Sequence, residues 1–205
     1  MPARTSLALA IAVLAAVPPL AGGDAAPETL IDGGPGADAT ITQRTPAFAF
    51  SSSDPGATFA CSVDDGPFAP CASPYELDSL SDGPHRFAVE AIGALGDADP
   101  TPAHRSFEVD ASAPDATFIK TPGKRVVTTK RTVDVEFTFL SNKARSHFQC
   151  AREGGTFEPC SSPLDYRVGE GWHYIMVQAV DAAGNADPSP ATDTFKVKRK
   201  KRKRR

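Results

Sequence analysis

One cysteine motif occurs twice in this chain. FACSVDDGPFAPCASP carries Cys61 and Cys71, and FQCAREGGTFEPCSSP carries Cys150 and Cys160. Each pair encloses nine residues, and the copies lie 89 residues apart, Cys61 to Cys150. A repeat of that length is a duplicated domain rather than a short solenoid unit. The duplication extends beyond the motif. Phe48 and Phe50 match Phe137 and Phe139, and Gly66 matches Gly155. After one deletion Gly83, His85, Val89, Asp99 and Phe107 match Gly171, His173, Val177, Asp187 and Phe195. The two copies share alternating apolar residues, turn glycines and cysteines.

Alternation with period two runs through both copies. TPAFAF, ATFACSV, HRFAVEAI and HRSFEV in the first copy are answered by VDVEFTFL, SHFQCA, HYIMVQAV and DTFKV. Gly, Pro, Asp, Asn and Ser fill the intervals, as turns require. Short strands at this spacing indicate an all-β chain of two tandem antiparallel β-sandwiches. The expected domains span 27–111 and 114–195, with a short link around Ala111–Pro114. Aromatic residues make up only 8% of the chain, so each core is small and gains from a covalent staple.

The cysteine spacing points to that staple. Zinc sites use pairs two to four residues apart, often with histidines nearby, and C-x9-C has neither feature. Cys61 and Cys71 are symmetric about Gly66, and Cys150 and Cys160 about Gly155. We expect each pair to lie opposed across a hairpin. A glycine in the left-handed region would make the turn, and the bridges would be Cys61–Cys71 and Cys150–Cys160.

Residues 1–25 read as a secretory signal peptide. Arg4 precedes an apolar run from Leu7 to Leu20, followed by small residues. The run is short for a bilayer span, so no transmembrane segment is expected after cleavage. Export suits the paired cysteines. Charge is unevenly spread. Residues 24–112 hold 15 acidic and 3 basic residues, and residues 113–195 hold 10 acidic and 9 basic. Lys196, Lys198, Arg199, Lys200, Lys201, Arg202, Lys203, Arg204 and Arg205 then crowd the last ten positions. So dense a cationic run is expected to be disordered over 196–205 and to bind polyanions. Export argues against nucleic acid as the physiological partner and for an anionic cell-envelope polymer or surface ligand.

The chain resembles the tandem bacterial Ig-like domains of secreted and cell-surface proteins. The resemblance rests on the C-x9-C hairpin with its following Ser-Pro. It also rests on DGPHRFAVEAI matched by EGWHYIMVQAV, and on IGALGDADPTPA matched by VDAAGNADPSPA. It implies a β-sandwich in each copy and leaves the ligand open. Two features depart from the antibody pattern. The cysteines are local to one hairpin, and the only tryptophan, Trp172, has Pro84 as its counterpart.

His85 and His173 recur at equivalent strand starts and are read as structural corner residues whose rings bond to backbone. Asp181, Asn185 and Asp187 share one loop and are weak calcium candidates, since Asx side chains also build turns. No G-x-S-x-G, HxH or HExxH pattern occurs, so no catalytic residue or cofactor is expected. The reading is therefore a secreted or surface-held structural or adhesive protein. Its alternative is a freely secreted module that binds carbohydrate or protein through sandwich loops.

Overall fold

In the computed structural model, residues 26–200 are described, and every regular element among them is a strand. In the first copy these are β1 (Thr29–Gly33), β2 (Ala39–Ile41), β3 (Ala47–Ser52), β4 (Thr58–Val63), β5 (Ala69–Cys71), β6 (Tyr75–Glu76), β7 (Gly83–Ile92) and β8 (Ala103–Val109). The second copy has β9 (Ala116–Lys120), β10 (Arg125–Thr128), β11 (Val133–Ser141), β12 (His147–Arg152), β13 (Glu158–Cys160), β14 (Leu164–Val168), β15 (Gly171–Val180) and β16 (Ala191–Arg199). Each copy pairs a three-stranded sheet with a five-stranded one. The orders are β1-β3-β6 against β2-β8-β7-β4-β5, and β9-β11-β14 against β10-β16-β15-β12-β13. The chain is thus two tandem Ig-like β-sandwiches. The region read as a signal peptide lies outside the described residues.

The alternation sets the inner faces. Phe48, Phe50, Cys61, Phe87, Val89, Phe107 and Val109 fill the first core, and Phe137, Phe139, Cys150, Ile175, Val177, Phe195 and Val197 fill the second. One pair of positions is exchanged between the cores. Phe87 stacks on Phe48 with ring centroids 4.2 Å apart, whereas its counterpart is Ile175. The missing ring is supplied from another strand. Phe118 lies 5.6 Å from Phe137, the equivalent of Phe48, and Phe118 is the counterpart of Ile31. Close packing tolerates such volume-conserving exchanges when both partners change together.

Both disulfides are present, Cys61–Cys71 and Cys150–Cys160, each with Cα atoms 5.8 Å apart. Two expectations about their hairpins need correction. The cysteines are not opposed: Cys61 pairs with Ala69 and Phe59 with Cys71, so each bridge runs diagonally across the ladder. Cys150 likewise pairs with Glu158 and Phe148 with Cys160. The left-handed residues are Asp64 and Asp65, at φ 52° and 57°, rather than Gly66. Glu153 and Gly154 take these places in the second copy, at φ 51° and 76°. Two successive left-handed residues make the turn whose twist matches its flanking strands. Gly66 closes it by donating its amide to Val63 O at 3.0 Å.

A third correction concerns the cationic run. Lys196, Lys198 and Arg199 belong to β16 and do not begin a disordered tail. That strand is paired with β15 on one side and runs parallel to β10 on the other. Inward-facing Phe195 and Val197 are buried, and their burial holds the intervening charges in a strand. Lys200 is tied by its amide to Thr128 O at 2.8 Å, and Lys201–Arg205 lie outside the described residues.

Each bridge closes a loop of sequence separation 10. Reduction is expected to lower the stability of each sandwich by about 2–3 kcal/mol. Urea titrations with and without reductant check this. An unchanged midpoint would show that the bridges are energetically idle.

Candidate functional site

The corner histidines are placed by the turns just described. His85 has Nδ1 2.8 Å from Asp64 Oδ2 and Nε2 2.8 Å from Ser81 O. His173 has Nδ1 3.0 Å from Glu153 Oε1 and Nε2 2.9 Å from Gly169 O. All four partners are acceptors, so the doubly protonated ring satisfies both of its bonds. Burial works against that charge on His85, but the Ser81 carbonyl and the Asp64 carboxylate outweigh it and raise its pKa.

The structure brings Asp181 and Asn185 together around a lysine. Lys143 Nζ donates to Asp181 Oδ2 at 2.6 Å, to Ser112 O at 2.7 Å and to Asp110 Oδ1. Asn185 adds its amide and side chain to the same aspartate and donates to Asp110 O at 2.8 Å. Burial would raise the Asp181 pKa, but the Lys143 and Asn185 hydrogen bonds bring it down to about 2. Asp187 stands apart, accepting from Ala116 N and Ser189 N at 2.8 Å each. Asp99 does the same work in the first copy, accepting from Thr29 N and Thr101 N. The loop that carries the calcium candidates also forms a junction. The Lys143 ammonium stands among its carboxylates and clamps the connecting segment, which Asp82 also holds through the amides of Ala111 and Ser112. Lys143 and Asp181 have Asp54 and Gly93 as counterparts, so the clamp exists only where the copies meet.

The outer faces of the two five-stranded sheets differ. In the second copy, Arg125 on β10, Lys196 on β16 and Trp172 on β15 are direct register partners and form one row. Neighbouring strands lie about 4.8 Å apart, so the row spans about 10 Å. Lys196 Nζ stands 5.0 Å from the indole centroid, and Trp172 keeps 64% of its surface exposed. Lys124, Lys198 and Glu170 complete an open groove of about 520 Å³. Lys124 is engaged by buried Asp193 at 2.6 Å, and Glu170 accepts the Arg199 amide at 3.1 Å. In the first copy the equivalent row is Thr40, Glu108 and Pro84. Its groove, about 700 Å³, is lined by Asp38, Asp64, Asp65 and Glu108, together with His85 and Arg86, which pair with Asp64 and Asp65. One face is thus acidic and the other basic with an exposed ring.

Sequence reasoning placed Lys196, Lys198 and Arg199 among polyanion-binding residues but did not join them to Trp172, Arg125 or Lys124. The available signal was a break in the repeat: Glu108 becomes Lys196 where Pro84 becomes Trp172.

No protein-family model and no curated protein matches the chain. Solved structures with a similar course include the fibronectin(III)-like modules of Clostridium thermocellum CbhA, at 16% identity and TM-score 0.46, covering 84% of this chain and 95% of that one. A bacterial ice-binding adhesin matches at 12% identity and TM-score 0.47, covering 86% and 67%. A three-domain Ig segment of titin matches at 12% identity and TM-score 0.46, covering 85% and 67%. At such identities and scores these likenesses carry no functional argument, and the reading that follows rests on the chain's own residues.

Proposed function

We propose that this is a non-catalytic structural or adhesive protein, exported from the cell and held at the surface through its cationic C-terminal end. The observation that carries the reading is the segregation of charge. The first sandwich is acidic, and the cationic run starts on β16 of the second, where paired strands hold Lys196, Lys198 and Arg199. A charged run anchored on a rigid sheet transmits its attraction to the sandwich it belongs to. The clamp at Lys143 ties that sandwich to the segment leading from the first. The partner is an anionic polymer of the cell envelope, and the attraction is electrostatic and screened by salt.

The test is fractionation of the native host, with envelope washed at rising salt and the protein followed by immunoblot. The truncated control ends at Lys200, because deeper cuts would remove part of β16. Full-length protein is expected on the envelope and released by salt, with the truncated chain released at lower salt. Recovery of both forms only from the medium would overturn the reading in favour of a freely diffusing recognition module.

A further inference from the structure

We propose that the outer face of the second sandwich, centred on the row Arg125, Lys196 and Trp172, is a binding site for an acidic polysaccharide. The inference rests on the polyanion reading above and moves its specific part from the tail to a sheet face. Three observations support it. Trp172 keeps 64% of its surface exposed, although tryptophan is highly buried on average. Lys196 Nζ stands over one face of the ring, and the opposite flat face fits the C–H face of a pyranose ring, while the edge tolerates water. Beside it, Lys196 and Arg125 follow in register across two further strands, so the acidic groups of a sugar chain stacked on the ring meet cations along the same row. Lys198 extends the positive field one step along β16.

The internal duplicate supplies the control. The same positions of the first sandwich carry Pro84, Glu108 and Thr40 on an intact sheet. Backbone geometry alone therefore does not demand Trp, Lys and Arg at these places. The row contains one aromatic ring, whereas single-stranded nucleic acid is held by successive stacking rings. The flat repeat of a sugar polymer matches one ring flanked by cations better.

Trp172 is the sole tryptophan, so its fluorescence reports on the site directly. The full chain is titrated with polygalacturonate, dextran sulfate and uncharged dextran, and affinities are measured in parallel by calorimetry. Saturable change in emission is expected with the acidic polymers and none with dextran. Trp172→Ala should weaken binding about tenfold without altering its salt dependence, since no charge is removed. Arg125→Thr with Lys196→Glu, the identities of the first sandwich, should weaken binding by at least about tenfold and flatten the salt dependence. Matching urea midpoints show that the variants fold. A chain ending at Lys200 should bind less tightly but keep the emission change.

Binding of the acidic polymers with unmoved emission, lost when residues 201–205 are removed, would overturn the sheet-face site and leave the tail reading standing. No binding by the full chain would overturn both. An equal response to dextran would overturn the acidic class of ligand. Tighter binding of oligothymidylate would replace it with nucleic acid. Self-association abolished by Lys196→Glu would assign the face to the acidic sandwich of a second copy.

Discussion

Replacing Phe87 by alanine is expected to remove about 3–5 kcal/mol from the first sandwich, a large share of what a domain of this size possesses. Phe87 has no exposed surface. Its ring is stacked on Phe48 and lies 6.1 Å from Phe50 and 6.3 Å from Tyr75, so its loss opens a cavity that stiff β-sheet neighbours cannot close. The measurement separates the two sandwiches. Trp172 lies in the second, so its fluorescence follows that domain, whereas circular dichroism follows both. The variant should show an early dichroism transition and an unshifted fluorescence transition. The second core also prescribes a rescue. Phe87→Ile alone should destabilise, and adding Ile31→Phe should recover part of the loss, because Ile175 and Phe118 stand at those two positions. A double-mutant cycle reads the coupling. A coupling of zero would mean that Phe118 and Phe87 do not fill equivalent space.

Replacing Lys143 by methionine is expected to cost about 2–3 kcal/mol, felt by the second sandwich and by the connecting segment together. The Asp181 side chain is only 1% exposed, so losing the ammonium leaves a carboxylate that cannot reach water, with Asn185 as its remaining donor. Its partners Asp110 and Ser112 belong to the connection, so limited proteolysis near Ala111–Pro114 should accelerate. The effect of acid follows from the same group. The Asp181 pKa is lowered from the ordinary 3.8 to about 2. A carboxyl held low in the folded state stabilises above the ordinary value, and that stability is lost as pH falls toward 2. The contribution is about 2 kcal/mol. It should shrink in the methionine variant, whose carboxyl is no longer held down by the ammonium. Urea midpoints at pH 7, 4 and 2.5 provide the comparison. Equal acid losses in both proteins would refute the clamp.

How far residues alone lead differs from place to place. Strand phase was legible, because one inward apolar residue in two is the only pattern that buries Phe48 with Phe50, or Val177 with Ala179, in a half-buried sheet. Pairing of nearby cysteines was legible too, since a short loop leaves few partners. The diagonal register of the bridges was not. Symmetry about Gly66 suggested opposed cysteines, while two successive left-handed residues at Asp64 and Asp65 shift the ladder. Lysine and arginine read as tail because their own propensity and repulsion favour disorder. Burial of Phe195 and Val197 overrides both as far as Arg199.

The duplication, the all-β class, the inner faces and the partners in each disulfide could be read from the residues alone. These depend on local spacing and on period-two burial, which are properties of a strand before it meets any other. Tertiary structure decided what depends on neighbours distant in the chain. It exchanged Phe87 with Ile175 and Ile31 with Phe118 inside equivalent cores. It set Lys143 among Asp110, Ser112 and Asp181, so that the loop forms a junction with the connecting segment. It also laid Arg125, Lys196 and Trp172 side by side from three strands. The physical reason is that side-chain contacts across a sheet are fixed by register, and register is settled only when the whole sandwich closes on its core.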